Sequence, residues 1–407
     1  MDTDDMNTGI DERSASAVRS SKDASTPPAR QPRGTVTAAR GGTVRRRDGS
    51  LTALAVLWSA LCAGLGLWWV LAPEAYPLYE ADAPMGLMES VPPGVAARTV
   101  LVLGLAGTGL ATLLGRTDVH TPGRRALLLA GAGYAAVFGL LVPDVQLLAF
   151  LGYATALIGP IVVVVMLAVG ARRHPRNLLL LALIGGAVAL GVVTGEIGGP
   201  TLDMLREIRD GVRRVGVRPA VLVVMAAGGV LFAALTVAAA RRGSSQHLTP
   251  EARARLDRWG RAATWVAAAS PMPYALIRLT WLTPWPQGAP GGPDAIGPGV
   301  RVFGILLGLA ALGGAALTLG LIYRWGEVFP AWLPALRGRP VPVWAAVVPA
   351  SIVAVVLCAS AVSLVLMSTR DGASWLAAAI PAPVWGPALA LATYAYYRRR
   401  TDRGALR

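Results

Sequence analysis

The chain reads as a series of long apolar runs separated by short charged breaks. A helix of about 20 mostly apolar residues crosses a hydrocarbon layer of roughly 30 Å. In such a layer no backbone group goes unpaired, so runs of this length have to be helices. Ten runs qualify: 52–72, 98–115, 126–143, 147–170, 178–197, 219–240, 262–282, 302–323, 343–366 and 378–397. The expected fold is an all-α, polytopic membrane bundle of about ten transmembrane helices. The last run is the weakest, because Pro381, Pro383 and Pro387 each remove a helix N–H near its start.

Composition agrees with that reading. Of 407 residues, 54% are hydrophobic and 15% charged, against about 25% charged in a soluble domain. A disordered chain, a disulfide scaffold and an ordinary soluble enzyme are excluded. The first run sits behind a long polar tail and is too long for a signal-peptide core, so it reads as a retained helix. Cys62 and Cys358 each fall inside an apolar run and imply no disulfide framework. His120, His174 and His247 lie far apart in charged breaks, without metal-ligand spacing. No metal and no cofactor are expected.

The net charge of +15 comes from 38 basic residues, all arginine except Lys22. Placing the N-terminus inside puts 29 of them on the inner side and 8 outside, with Arg278 within a span. By the positive-inside rule, both termini are cytoplasmic. The charge is an orientation signal spread over loops, so nucleic acid is not an expected partner. Residues 1–50 lack apolar periodicity and read as a disordered cytoplasmic tail. Residues 51–397 form the helix bundle, and 398–407 a basic C-terminal tail. Arg45, Arg46 and Arg47 beside the first run anchor topology and attract anionic lipid headgroups at the inner face of the bilayer. One outer segment runs against the charge bias. There Leu202, Leu205, Ile208, Val212 and Val215 recur at helical spacing. An amphipathic helix near 201–215 is expected, lying on the outer membrane surface or capping the bundle.

Ionisable groups within a membrane mark function by default. Arg278 lies about a turn from the outer end of the seventh run, where it either snorkels to the interface or finds a partner. Glu196 and Asp144 lie at the same depth, so a polar pocket of Arg278, Glu196, Asp144 and Tyr274 is expected. Ser270, Pro271 and Pro273 break the seventh run, as a kink or as freed carbonyls for an ion or substrate. An inner interfacial loop is marked by two Arg-Trp-Gly repeats, with Arg258 and Trp259 in one and Arg324, Trp325 and the nearby acid Glu327 in the other. Small residues at Ala187, Gly191, Gly195 and Gly199, at Gly304 and Gly308, and at Gly104 and Thr108 suit close helix packing.

The stretches Pro273-Tyr274-Ala275-Leu276-Ile277-Arg278-Leu279-Thr280-Trp281 and Arg324-Trp325-Gly326-Glu327-Val328-Phe329-Pro330 resemble segments of multi-pass membrane proteins of high-GC actinobacteria. No activity is attached to that group. The resemblance implies a bacterial plasma membrane and says nothing of substrate. Phosphate-binding, metalloprotease and serine-hydrolase motifs are absent from the sequence. A permease-like role for a small solute or lipid is expected first. A scaffold or sensor that binds through the tail and loops comes second, and an enzyme on a lipid-linked substrate third. A cavity beside Arg278 and Pro271 would favour transport, a solid bundle would favour scaffolding, and a pocket holding two convergent acids would revive the enzyme.

Overall fold

Proline opens most of the long helices. It stands in the first turn at Pro93, Pro219, Pro250, Pro273 and Pro298, where its missing N–H leaves no bond unmade. The protein is described from a computed structural model that covers residues 35–79, 86–171, 175–193, 206, 209–210, 216–242, 249–289, 292, 296–329, 337–370 and 374–404. Among these, regular structure is helical, with one isolated antiparallel bridge, Val328 to Pro340. The chain forms two units, 1–46 and 47–407, and the second is the subject below.

Twelve α-helices are named here. They are α1 (Thr35–Leu71), α2 (Pro93–Arg116), α3 (Arg124–Ala136), α4 (Gln146–Ala171), α5 (Pro175–Val193), α6 (Arg218–Arg241), α7 (Pro250–Ala269), α8 (Met272–Leu279), α9 (Pro298–Leu319), α10 (Val343–Arg370), α11 (Ser374–Ala379) and α12 (Ala382–Gly404). Helix α1 starts at Thr35, within the expected tail, and carries its apolar stretch in Gly49–Leu71. The expected amphipathic segment near 201–215 lies almost wholly outside the described residues.

Among the described residues, eight helices are long and apolar enough to cross a membrane: the apolar stretch of α1, then α2, α3 with its final turn, α4, α6, α9, α10 and the α11–α12 segment. The expected count of ten goes beyond what length and composition support among the described residues. The fifth run gives the shorter apolar helix Pro175–Leu190. The seventh is interrupted between Ala269 and Met272, and α7 spends its first half on Arg253, Arg255, Arg258 and Arg261.

The helices pack as two groups. In the first, α1, α2, α3 and α6 meet around Trp58, Tyr134, Phe138 and Phe232. The Trp58 ring stands edge-on to Phe138 at 4.8 Å, and its indole N–H donates to the Val224 carbonyl at 2.7 Å. In the second, α7, α10 and α12 share a core around Leu357, Leu364, Leu389 and Tyr396. Helix α4 packs on α5, α9 and α10, and α8 packs on α9. Small residues set the close crossings. A Cβ on Gly229 of α6 would lie 2.5 Å from the Gly139 backbone, and a Cβ on Gly104 of α2 would run into the Ala63 backbone of α1.

Candidate functional site

Two connections and the start of α6 meet at one end of the first helix group, and each contributes one charged side chain. Past Ala136, α3 widens into a π turn at Val137–Leu141, with the Val142 N–H reaching back to the Val137 carbonyl at 3.0 Å. The hairpin that follows turns on Asp144. Its Oδ1 accepts the Gln146 N–H at 2.8 Å, capping the start of α4. In the α1–α2 connection, a short helical turn at Met88–Ser90 turns Glu89 inward, and its Oε2 accepts the Gly86 N–H at 2.9 Å. Gly86 has to be small, because a Cβ there would lie 2.9 Å from the Asp144 Cβ. The third member is Arg218, the first residue of α6. Its Nη2 bridges the two acids, at 2.7 Å from Asp144 Oδ2 and in direct contact with Glu89 Oε1.

All three side chains are buried: Glu89 is 1% exposed, Asp144 2% and Arg218 8%. With both carboxylates ionised the cluster carries one net negative charge, and one proton would neutralise it. Charge is costly in such a place. Burial pushes the Asp144 carboxyl up to about 6, against the pull of the Gln146 N–H. Burial also pushes the nearby Tyr76 phenol up to about 12, against the Arg218 guanidinium. The Tyr76 hydroxyl and Gln146 Oε1 are buried and meet no hydrogen-bond partner among the described residues. The cluster also touches the second helix group, where Ser360 of α10 donates to the Asp144 carbonyl at 3.2 Å.

The expected pocket is thus divided. Asp144 joins Glu89 and Arg218, and Glu196 lies outside the described residues. Arg278 packs with aromatic rings instead. Its Nε donates to the Tyr274 hydroxyl at 3.1 Å, and its guanidinium lies 4.2 Å from the Trp281 ring centre and 5.1 Å from that of Tyr274. Gly304 and Gly308 of α9 make the room, one under the Trp281 ring and the other under the Arg278 Cβ. At the break, Ser270 folds back on the Val266 carbonyl through both its N–H and its hydroxyl. Pro271 accepts the Ala275 N–H, and Pro273 lies in the first turn of α8.

At the opposite end, arginines close helix C-termini. Arg242 donates to the Leu114 and Thr117 carbonyls at the end of α2, at 2.7 and 2.9 Å. Arg124 reaches the last carbonyls of α6, with Ala240 at 2.8 Å. Arg399 donates to the Leu321 carbonyl, and Arg400 to Glu327 and Val341. These bonds, with Tyr396 on the Gly326 carbonyl at 2.8 Å, dock the Arg324-Trp325-Gly326-Glu327 turn on α12. Arg258 and Trp259 are exposed on α7 beside that end.

Between the two groups runs an apolar cleft of about 710 Å³, walled by α3 and α6 on one side and α10 and α12 on the other. It lies away from Arg278 and Pro271. The pairing of Glu89 with Arg218 escaped the sequence reading. Glu89 is one acid among several in its connection, and Arg218 resembles an orientation charge. The visible signal was an arginine directly before a proline at the head of a long apolar run. Comparison with protein-family models, curated proteins and solved structures finds no match.

Proposed function

We propose that this multi-pass membrane protein is a proton-linked, permease-like carrier. In this reading it sits in a bacterial plasma membrane, with ten helices and both termini in the cytoplasm. The observation that carries the proposal is the buried Glu89–Arg218–Asp144 cluster, two acids on one guanidinium at the joint between helix groups. A proton taken up by Asp144 removes its charge attraction for Arg218 and leaves the Glu89 contact to that guanidinium in place. The α3–α4 hairpin then loses its tie to α6 while keeping its bond to α10. Charge thus selects between two packings of the groups, which is what alternating access requires of a carrier. The polar atoms of Tyr76 and Gln146 beside the cluster supply further sites for a passing proton or water.

Difference infrared spectroscopy of the full-length protein in lipid bilayers, stepped through pH 6, tests the reading. A protonated-carboxyl band should titrate there, vanish in Asp144→Asn and persist in Arg278→Gln. Absence of a band that responds to Asp144→Asn overturns it. Untargeted metabolite and lipid profiling of a deletion strain would then supply the substrate.

A further inference from the structure

The cleft between α3–α6 and α10–α12 has a chemistry of its own. Its walls are small apolar residues, among them Ala136, Gly229, Ala233, Ala354 and Ala390. Its volume falls in the roughly 300–1,000 Å³ range of sites that enclose a small molecule. No Asp or Glu lines it. It lies between two groups of apolar helices, so in a bilayer the molecules that surround it are lipids. At the arginine-rich end it is framed by Trp344, Tyr394 and Tyr397, the residue types that settle at headgroup depth. The Trp344 and Tyr397 rings pack 5.7 Å apart.

That end also carries cations. Arg241 donates to the Tyr394 hydroxyl at 3.3 Å, with its guanidinium 5.9 Å from the ring centre, so the charge stands at the cleft mouth. Arg398 lies four residues beyond Tyr394 on α12 and continues the same helix face. Its Nε is buried and has no hydrogen-bond partner among the described residues. Inside the cleft, the Thr236 hydroxyl is likewise buried without one. Apolar walls below an aromatic and cationic rim match an amphiphile with an anionic head.

We propose that the cleft is a binding site for one acidic phospholipid, its acyl chain between the helix groups and its phosphate at Arg241 and Arg398. The site stands independently of proton binding at the Glu89–Arg218–Asp144 cluster, which lies at the other end. A lipid seated there would hold the groups apart at the arginine-rich end. It would also be the natural candidate for what the protein moves or senses.

The test is native mass spectrometry of the full-length protein in detergent, with added dioleoyl-phosphatidylglycerol or dioleoyl-phosphatidylcholine at constant pH. One phosphatidylglycerol should be retained in preference to phosphatidylcholine. The double variant Arg241→Gln/Arg398→Gln should lose that preference by about tenfold. Ser351→Trp and Ala136→Trp, from opposite walls, should each displace both lipids. Thermal unfolding of every variant separates a lost site from a lost fold, and the double arginine change lies at the rim, outside the packed core. Equal retention of the two lipids by the wild type overturns the proposal. So does a preference that survives the double variant, or a second copy of the chain blocking the cleft in a dimer. Because no pH step is involved, failure here leaves the infrared test of Asp144 untouched, and the converse holds.

Discussion

Arg218 holds two acids, and that inequality decides what substitution does. Arg218→Gln removes the guanidinium that both buried carboxylates share, and removing one side of a buried pair costs about 3–5 kcal/mol. Asp144→Asn leaves Arg218 with Glu89 and should cost less, about 1–3 kcal/mol. Thermal unfolding in detergent should rank Arg218→Gln below Asp144→Asn, and the reverse order would mean the bridge is not the tie described. The pH dependence has a definite sign. Burial raises the Asp144 carboxyl to about 6, so the folded chain holds that proton more tightly than the unfolded one. The contribution is full below the ordinary carboxylate value of about 3.9 and is lost as pH climbs through about 6. Unfolding temperature should fall across that window in the wild type and fall less in Asp144→Asn. Asp144 was legible in the sequence because an acid in a tight hairpin between two apolar runs is conspicuous. Its partners were not, since 74 residues separate it from Arg218 and nothing local in either segment encodes the other.

At the scale of elements, crossings and caps can be probed separately. Gly229→Ala forces a Cβ against the Gly139 backbone, where no rotamer change gives relief. It should destabilise by about 1–3 kcal/mol, as overpacking does. Gly109→Ala on α2 faces open space and should be neutral in the same assay. Arg242→Lys tests the caps. One guanidinium nitrogen, Nη1, donates to both the Leu114 and Thr117 carbonyls, and an ammonium is a compact, strongly hydrated point charge without the guanidinium's fixed plane. Lysine should keep the orientation of the protein in the membrane and still lower its unfolding temperature. Periodicity and apolar length located the helices well, because both follow from local composition. They mark ten runs where eight helices are long and apolar enough among the described residues, because length alone does not show where a segment breaks. Ser270 and Pro271 end α7 after a charged first half, so the seventh run yields two pieces. The arginine caps were hidden for another reason. In sequence, a charge that orients a helix looks the same as one that closes it.

Across the whole molecule the two ends respond differently to acid. The arginine-rich end is tied by guanidinium groups that stay charged at every physiological pH. The other end is tied through Asp144, whose raised carboxyl changes charge near neutrality. Acid reaching that face neutralises one member of the Glu89–Arg218–Asp144 cluster. In sealed vesicles of one orientation, acidifying the Asp144 side should alter protease sensitivity of the α3–α4 hairpin, and acidifying the opposite side should leave it unchanged. On the proposed proton-linked reading, the bridging guanidinium of Arg218 gives the protein a polarity that charge counting cannot supply: of the two compartments the membrane separates, it would read the acidity of one.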